Sequence, residues 1–511
     1  MTSRSFSLKT IFLLLGDAAM LAFAIFLAPF VRHLGVPEPG ILGLYRFAAP
    51  FLIGLSLAGF TMFGLYDIRA AKNNPAFYER IMRAFIFNFA LTVFLFYLIP
   101  EFRLRPLATL VIIFAIQSAL LIGWRTVANA AFSRLFKDRV LFYGLSDEAG
   151  DLGKFLQENP QLGFIPVGFL AAGGPPSDNS LASSPSRSGR SGGSDAPSAG
   201  SALPVFPPEA NLAALIRAHD ISIITVAHHI ERTPALIRSF FTAMPLGTTI
   251  IDFPRFSEAV EGKVPVSLIN ETWFLENLIS ARRPKYDAAK RILDLALALL
   301  LGAVTLLFFP FIAAAILLST PKDILAYRER RAREGDGIIF FRQERVGKNG
   351  RVFQFVKFRS QVLGAERYGS EKESGSPSSE PLASSPSRSG RSGGPDPRAY
   401  PVGTFLRKTY LDELPQLWNI MKNEMSFAGP RPERPAFVAE LEEKIPFYRV
   451  RELVLPGITG WAQINMQNDA SVSDAPEKLQ YDLYYIKNRT LALDLVIMLK
   501  TTLKLVARSG R

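Results

Sequence analysis

LALALLLGAVTLLFFPFIAAAILL, Leu295 to Leu318, runs for 24 residues without a charged side chain. At about 1.5 Å of rise per residue this is long enough for the ~30 Å hydrocarbon core of a bilayer. Its flanks argue against a simple crossing. Lys285, Lys290 and Arg291 precede it, and Lys322, Arg328, Arg330, Arg331 and Arg333 follow it. Basic flanks stay in the cytoplasm, so both ends are expected on one face. Pro310 lies within the run and removes a backbone donor. The expectation is a re-entrant helix over 290–319, broken at Pro310, with an ordinary span as the alternative.

Upstream, four more apolar runs, Ile11 to Val31, Phe47 to Tyr66, Ala84 to Pro100 and Leu107 to Trp124, predict a four-helix transmembrane domain over 1–133. The first run is longer than a signal-peptide core and no small-residue cleavage pattern follows it. Ten basic residues fall at the N-terminus, in the second loop and after Trp124. Only Arg32, Arg46, Arg103 and Arg105 fall in the other two loops. The N-terminus and everything after Arg125 are therefore expected in the cytoplasm, with the chain multi-pass in a membrane.

From about Val140 short β-rich runs alternate with helical periodicity, as in RVLFYGLSDEAGDLGKFLQ and HDISIITVAHH. This predicts a Rossmann-like α/β domain over 134–280. Gly144 and Gly150 are spaced as G-x5-G, with Asp147 and Glu148 where a pyrophosphate would be repelled, so a structural role is the better reading. LASSPSRSGRSGG occurs twice, at Leu181 to Gly193 and Leu382 to Gly394, within insertions near 171–202 and 370–396. Ser, Gly, Pro and Arg in that proportion cannot bury a core, and both insertions are expected to be disordered.

The composition fits this plan. Hydrophobic residues make up 49% and charged residues 20% of 511, and mean hydropathy is positive. The absence of cysteine excludes disulfides, thiolate metal sites and cysteine nucleophiles. A net charge of +13 beside so much apolar sequence favours anionic lipid and phosphorylated substrates over nucleic acid.

Chemistry concentrates in 281–511, which is expected to be a mainly α catalytic domain. Arg342, Arg345, Lys357, Arg359, Arg407 and Arg431 recur beside glycine and proline turns, a pattern suited to holding phosphate on fixed loops. Asp412 and Glu413 stand just before Pro415, with Leu414, Leu417, Trp418, Met421 and Met425 at helical spacing, so both carboxylates are expected at a helix N-terminus. An acidic pair there is ordinarily a cap. Among these arginines an ionised aspartate becomes a candidate nucleophile toward phosphorus, with Mg²⁺ offsetting the charge of the phosphate.

The words KRILDL, FFRQERVGKNG, VKFRS, FLRKTYLDELPQLWN, GPRPE, PGITGWAQIN and YDLYYIKN, in this order from Lys290 to about Leu505, resemble the bacterial polyprenyl-phosphate sugar-1-phosphate transferases, the monotopic phosphoglycosyl transferases. With the four N-terminal helices and the α/β domain, the chain looks like their large subgroup. The resemblance implies transfer of sugar-1-phosphate from a UDP-sugar to undecaprenyl phosphate, the first step of an exopolysaccharide or other surface glycan. It implies Asp412 as nucleophile, Glu413 as its partner, and phosphate contacts from Lys357, Arg359 and Arg431; the residue pattern itself adds Arg407 as a phosphate contact and Asp412 as the Mg²⁺ ligand. Asp482, Arg342 and Arg345 would be supporting residues. Inner-membrane lipid, a homo-oligomer and polysaccharide-assembly proteins are the other partners it suggests.

Four positions depart from the family's pattern. Phe309 precedes Pro310 where serine is common, and Gln361 follows KFRS in place of methionine. Met466 and Gln467 follow Asn465 where Gly-Arg is frequent, and the second insertion separates Arg359 from the dyad. Two readings from other classes stay open: a membrane nucleotide-sugar dehydratase or epimerase, and a non-catalytic scaffold of polysaccharide assembly. The first needs a helical Tyr-x-x-x-Lys, and Tyr368 to Lys372 stands in a Ser/Gly-rich run.

Overall fold

The structure, a computed structural model, describes residues 2–37, 39–67, 73–98, 107–135, 137–171, 203–208, 210–227, 233–266, 273, 283–320, 337–362, 399–466 and 474–509. Both copies of the repeated tract, Lys322 and its basic neighbours, Tyr368, Lys372 and Gln467 lie outside these. Two compact units divide the chain, Met1–Glu261 and Gly262–Arg511. The break falls earlier than the expected 280. Val264 N donates to Gln480 O and Trp461 Nε1 to Gly262 O, which ties this segment to the second unit.

The first unit opens with helices α1 (Thr2–His33), α2 (Pro39–Met62), α3 (Pro75–Leu98) and α4 (Leu107–Leu135). Each packs on its sequence neighbour and α4 returns to α1. Among the described residues, four helical stretches are long and apolar enough to cross a membrane: Lys9–His33, Tyr45–Met62, Leu110–Phe132 and Pro284–Ser319. The expectation of four such stretches at the N-terminus is met by three. Helix α3 opens with Glu79, Arg80 and Arg83, which leaves it a shorter apolar remainder. Arg125, counted above with the basic residues beyond the fourth run, lies wholly inside the bundle. It grips Asp17 through Nε at 3.0 Å and Nη2 at 2.5 Å and donates from Nη1 to Leu65 O. Tyr66 OH donates to the same carboxylate at 2.9 Å. Charge buried among apolar helices is tolerated when it is paired in this way.

The bundle runs into a five-stranded parallel sheet made of β1 (Asp138–Tyr143), β2 (Phe164–Leu170), β3 (Val205–Phe206), β4 (Ile223–Val226) and β5 (Thr249–Asp252). The spatial order is β3-β2-β1-β4-β5. Leu141, Ile224 and Val226 face helices α6 (Leu212–His219) and α7 (Pro234–Ala243). Phe142 and Phe164 face α8 (Phe253–Glu261) through Phe253 and Phe256. Strands covered on both faces are the doubly wound arrangement that alternating β and α runs predict. Gly144, at φ 103°, makes the tight turn after β1, and Ser146 caps α5 (Asp147–Glu158) by accepting from Ala149 N.

In the second unit, α9 (Pro284–Ser319) is one helix of 36 residues that stays helical through Pro310. The helix is not interrupted where a break was expected, because a proline inside a helix is a bend point and does not end it. One proline costs one hydrogen bond, and a long apolar helix absorbs that loss. Its N-terminal part is fastened by Tyr286 OH to Asp494 at 2.7 Å, Lys290 to Asp494 at 3.0 Å, and Arg291, whose Nη1 and Nη2 donate to Ile420 O and Met421 O. Its C-terminal part is held by Phe309, which stacks on Phe340 and Phe358 at 5.9 and 6.1 Å, and by Ile316, packed with Phe358, Tyr400 and Leu406. Between these anchorages Leu299 to Leu301, Val304 and Leu306 to Phe308 are exposed. Both ends of the apolar helix are thus tied to one polar unit.

Strands β6 (Phe340–Val346) and β7 (Val352–Phe358) form an antiparallel hairpin, with Arg345 opposite Phe353 and Lys357 opposite Phe341. Strands β8 (Ser426–Ala428) and β9 (Gly457–Thr459) pair in parallel. A Cβ on Gly457 would strike the backbone of Gly429, so the glycines of GPRPE and PGITG are where these two segments touch. Helix α10 (Pro401–Thr409) leads into the dyad and α11 (Gln416–Met421) leads away from it. Helix α12 (Pro435–Lys444) and the short α13 (Trp461–Asn465) follow, and α14 (Ala475–Asn488) and α15 (Leu491–Ser509) complete the unit.

Candidate active site

Asp412 and Glu413 sit in a single 3-10 turn, Leu411–Glu413, between α10 and α11. Helix α10 ends at Tyr410 in the left-handed region, φ 60°, and Glu413 N donates back to Tyr410 O. The dyad therefore precedes the helix expected to carry it. Pro415 has no N–H to give, and α11 begins only after it. Six residues of helix supply little macrodipole, so the environment of the carboxylates is set by burial and by side chains. Both are buried, Asp412 at 4% and Glu413 at 9% exposure. Leu411 and Leu414 pack with Ile316 and Phe358, and Leu417 with Ala298 and Phe355, which fixes the turn against the membrane helix and the hairpin.

Lys357 on β7 brings its ammonium 3.3 Å from Glu413 Oε1. The same ammonium lies 5.1 Å from the centre of the Phe355 ring, and the Arg345 guanidinium lies 5.5 Å from it. Asn419, a residue that motif reading passed over, holds α11 to this strand. Its Nδ2 donates to Gln354 O and its Oδ1 accepts from Val356 N. Asn419 thereby sets the distance between the dyad turn and Lys357.

The other expected phosphate ligands divide. Arg407 is half-buried in the last turn of α10, and Arg431 is half-buried on the loop after β8. Arg359 is 2% exposed and turns inward. Its Nε donates to Ile338 O at 2.8 Å and its Nη2 to Thr320 Oγ1 at 2.6 Å, so here it ties the end of α9 to the hairpin. Arg342 is exposed on β6. Arg345 is buried, donating from Nη1 to Pro432 O and from Nη2 to Gln343 Oε1. Pro310 is exposed on α9.

Asp482 belongs to a buried ionic cluster that the sequence reading did not assemble. Arg451 reaches it at 2.9 Å, and Glu433 receives Lys478 at 2.5 Å with Arg451 and Arg345 each at 3.7 Å. Burial alone would raise the Glu433 carboxyl, but Lys478, Arg451 and Arg345 together outweigh it and hold the group at about 2. Burial pushes the Asp482 carboxyl upward, opposed by Arg451 and Lys478. Arg451 Nη2 also donates to Arg431 O, so the cluster fixes the loop that carries Arg431. Three cations for two carboxylates was a signal within FFRQERV, GPRPE, YRVREL and KLQYD, although nothing in one sequence pairs them.

Two adjacent buried carboxylates fit a Mg²⁺ ion, which takes one or two carboxylates and completes its shell with water and substrate phosphate. Among the described residues no cluster of three or more His, Asp or Glu forms a fuller cage.

Comparison with known proteins matches residues 285–508, the span holding the dyad, the hairpin and α9, to the family described as bacterial sugar transferase. The UDP-N-acetylgalactosamine-undecaprenyl-phosphate N-acetylgalactosaminephosphotransferase of Aeromonas hydrophila is 34% identical over 48% of this chain and 50% of its own length. The exopolysaccharide production protein ExoY of Sinorhizobium fredii is 34% identical over 45% of this chain and 90% of its own length. The UDP-glucose:undecaprenyl-phosphate glucose-1-phosphate transferase of Xanthomonas campestris is 26% identical over 72% of this chain and 67% of its own length. The chain spans about half the length of the Aeromonas relative. With 90% of ExoY contained in it and the dyad, hairpin and membrane helix all inside the matched span, the chain belongs to the bacterial sugar transferase family.

Proposed function

We propose that this protein transfers sugar-1-phosphate from a UDP-sugar to undecaprenyl phosphate, giving undecaprenyl-diphosphate-sugar and UMP, and so initiates a surface polysaccharide. The reading is supported most directly by the buried Asp412–Glu413 turn, packed against a membrane helix and facing Lys357 through Glu413. The printed names of the Aeromonas and Xanthomonas relatives describe the same class of transfer.

In the proposed course Asp412 attacks the phosphorus that bears the sugar. An acyl-phosphate bond forms, the anhydride bond to the uridylyl phosphate breaks, and UMP leaves. A phosphate oxygen of undecaprenyl phosphate then attacks the same phosphorus, the acyl-phosphate bond breaks, and the Asp412 carboxylate is restored. Glu413, held by Lys357, orients the turn, while Lys357, Arg407 and Arg431 bind phosphate oxygens. Mg²⁺ bound by Asp412 would neutralise charge on the transferred phosphate. Arg359 is given a positioning role. Exclusion of water by the buried turn protects the acyl phosphate from hydrolysis.

The proposal includes a cytoplasmic catalytic unit in the inner membrane, with α9 entering and leaving by one face. Its support is that Lys290 and Arg291 at one end and the Thr320–Arg359 contact at the other fasten the helix to the same polar unit. A panel of UDP-sugars with undecaprenyl phosphate and Mg²⁺, scored by UMP release, tests donor and reaction together. Asp412→Asn is expected to abolish release and Glu413→Gln to leave a small residue of it. Normal rates in Asp412→Asn, or no phosphosugar adduct on rapid quenching of the wild type, rule out the covalent route.

A further inference from the structure

Ile237, Phe241 and Met244 are 41, 66 and 56% exposed on α7 and the 3-10 turn that follows it, Met244–Leu246. Their spacing of i, i+4 and i+7 makes one stripe, beside the row Leu236, Phe240 and Ala243 that turns inward to the sheet. Among the described residues of the α/β domain the other large apolar side chains at the surface, Leu145 and Val205, stand singly. Single ones are ordinary, whereas a contiguous apolar stripe has a partner.

The sheet fixes where the stripe lies. The apolar spans of α1 and α4 end at Lys9 and Phe132, and the Lys9 ammonium is 5.9 Å from the centre of the Phe132 ring. The same ammonium donates to Leu162 O at 3.0 Å, in the turn Pro160–Leu162 that precedes β2. The edge at which the strands begin is therefore level with the ends of the spans, at headgroup depth. Backbone hydrogen bonds carry that edge across the sheet: Asp138 N to Gly163 O, Ser222 N to Arg139 O and Thr249 N to Ser222 O, at 2.8, 3.0 and 2.8 Å. Thr249 begins β5, and Met244–Leu246 comes just before it, turned by Gly247 at φ 83°. Helix α7 runs back to this edge, so Phe241 and Met244 stand at its membrane end. Leu145, which follows β1, stands at the opposite edge.

Size and charge decide the occupant. Side chains of at most ~250 Å² each, partly exposed, fall well short of the ~800 Å² a side that a stable protein interface buries. A few apolar side chains do suffice to seat a helix in the headgroup layer of a membrane to which the chain is already tethered. From Arg232 to Ile251 the sequence holds no acid, and Arg238 is exposed next to Ile237. Asp220 offsets Arg217 at the end of α6, which leaves Arg238 as the cation for an anionic headgroup.

We propose that Ile237, Phe241 and Met244 enter the headgroup layer of the leaflet from which α4 emerges, with Arg238 on an anionic phospholipid. This gives the α/β domain a second attachment to the membrane besides the chain itself and fixes its orientation there.

The experiment uses the full chain in nanodiscs of phosphatidylcholine with and without phosphatidylglycerol. Phe241→Cys, Met244→Cys and, as the reference, Leu145→Cys each introduce the sole cysteine of the chain. A nitroxide on each reports depth by its collisions with oxygen and with a water-soluble nickel chelate. At Phe241 and Met244 oxygen collisions are expected to exceed nickel collisions several-fold, and at Leu145 the reverse. Two positions one turn apart keep the result independent of either substitution. Arg238→Gln, combined with Phe241→Cys, should reduce immersion in the phosphatidylglycerol discs to that in phosphatidylcholine alone. Nickel access at Phe241 and Met244 equal to that at Leu145 overturns the inference. So does protection accompanied by dipolar broadening between nitroxides, which seats a second copy on the stripe. Immersion equal in both discs and unchanged by Arg238→Gln overturns the headgroup contact of Arg238.

Discussion

Replacing Lys478 with methionine probes the ionic cluster beneath the Arg431 loop. Methionine preserves the length of the stem and removes the ammonium 2.5 Å from Glu433. In the folded state Glu433 is held at about 2 against an ordinary 4.5. At about 1.4 kcal/mol per pH unit, the partners of Glu433 contribute on the order of 3 kcal/mol at neutral pH. A depressed carboxyl gives stability that is fully present above about pH 4.5 and is lost as pH falls toward 2. Arg451 and Arg345 remain at 3.7 Å in the variant, so the loss is partial, about 2–3 kcal/mol. For a unit of this size that lowers Tm by roughly 4–12 °C. Thermal unfolding followed by tryptophan fluorescence at pH 7 and again at pH 4 measures it. The variant should be less stable at pH 7 and should lose stability on acidification at a higher pH than wild type, because its Glu433 protonates earlier. Adding Glu433→Gln should restore part of the loss, since the stranded charge is gone. A Tm within about 2 °C of wild type at pH 7, or a double variant worse than the sum of its parts, refutes the account of this cluster.

Two further predictions follow from the second unit. Single cysteines at Lys285, in the first turn of α9, and at Glu344, after its end, should both label from the cytoplasmic face in a chain that has no native cysteine, and labelling from opposite faces sinks the re-entrant topology. Asn419→Ala strands Gln354 O and Val356 N and frees α11 from β7, so kcat should fall about tenfold to a hundredfold with a smaller change in KM; an unchanged kcat removes Asn419 from the positioning of the dyad.

The elements visible in the sequence are those written in local pattern. Leu295 to Leu318 announced its helix by length, the α/β alternation announced the parallel sheet, and Asp412-Glu413 with Lys357 stood out as chemistry beside turns. What stayed hidden depends on pairings across many residues. Arg359 and Arg431 look alike in a list of cations, yet one is turned inward onto Thr320 and the other lines a cleft. Glu433 meets Lys478 across 45 residues and Arg451 meets Asp482 across 31, separations that carry no periodic signal. Pro310 illustrates the limit of a local rule: it predicts an end to the helix, whereas the backbone stays helical through it, so the proline is a bend point and not a stop.

The Asp17–Arg125 grip has a bearing on how the chain is made. The two residues are 108 positions apart, so α1 leaves the ribosome well before its partner exists. At about 5–20 residues per second, Arg125 appears roughly 5–20 s after Asp17. Through that interval a carboxylate in the middle of an apolar helix has no guanidinium, and its transfer into hydrocarbon alone is opposed by about 2.5–3.5 kcal/mol. The Leu, Ile, Phe and Val side chains around Asp17 offset that cost, so the helix can insert, but it carries an unpaired polar group until α4 arrives to meet it. The bundle therefore reaches its paired state only when its last helix is made, and a chain that stops before Arg125 leaves Asp17 without its guanidinium.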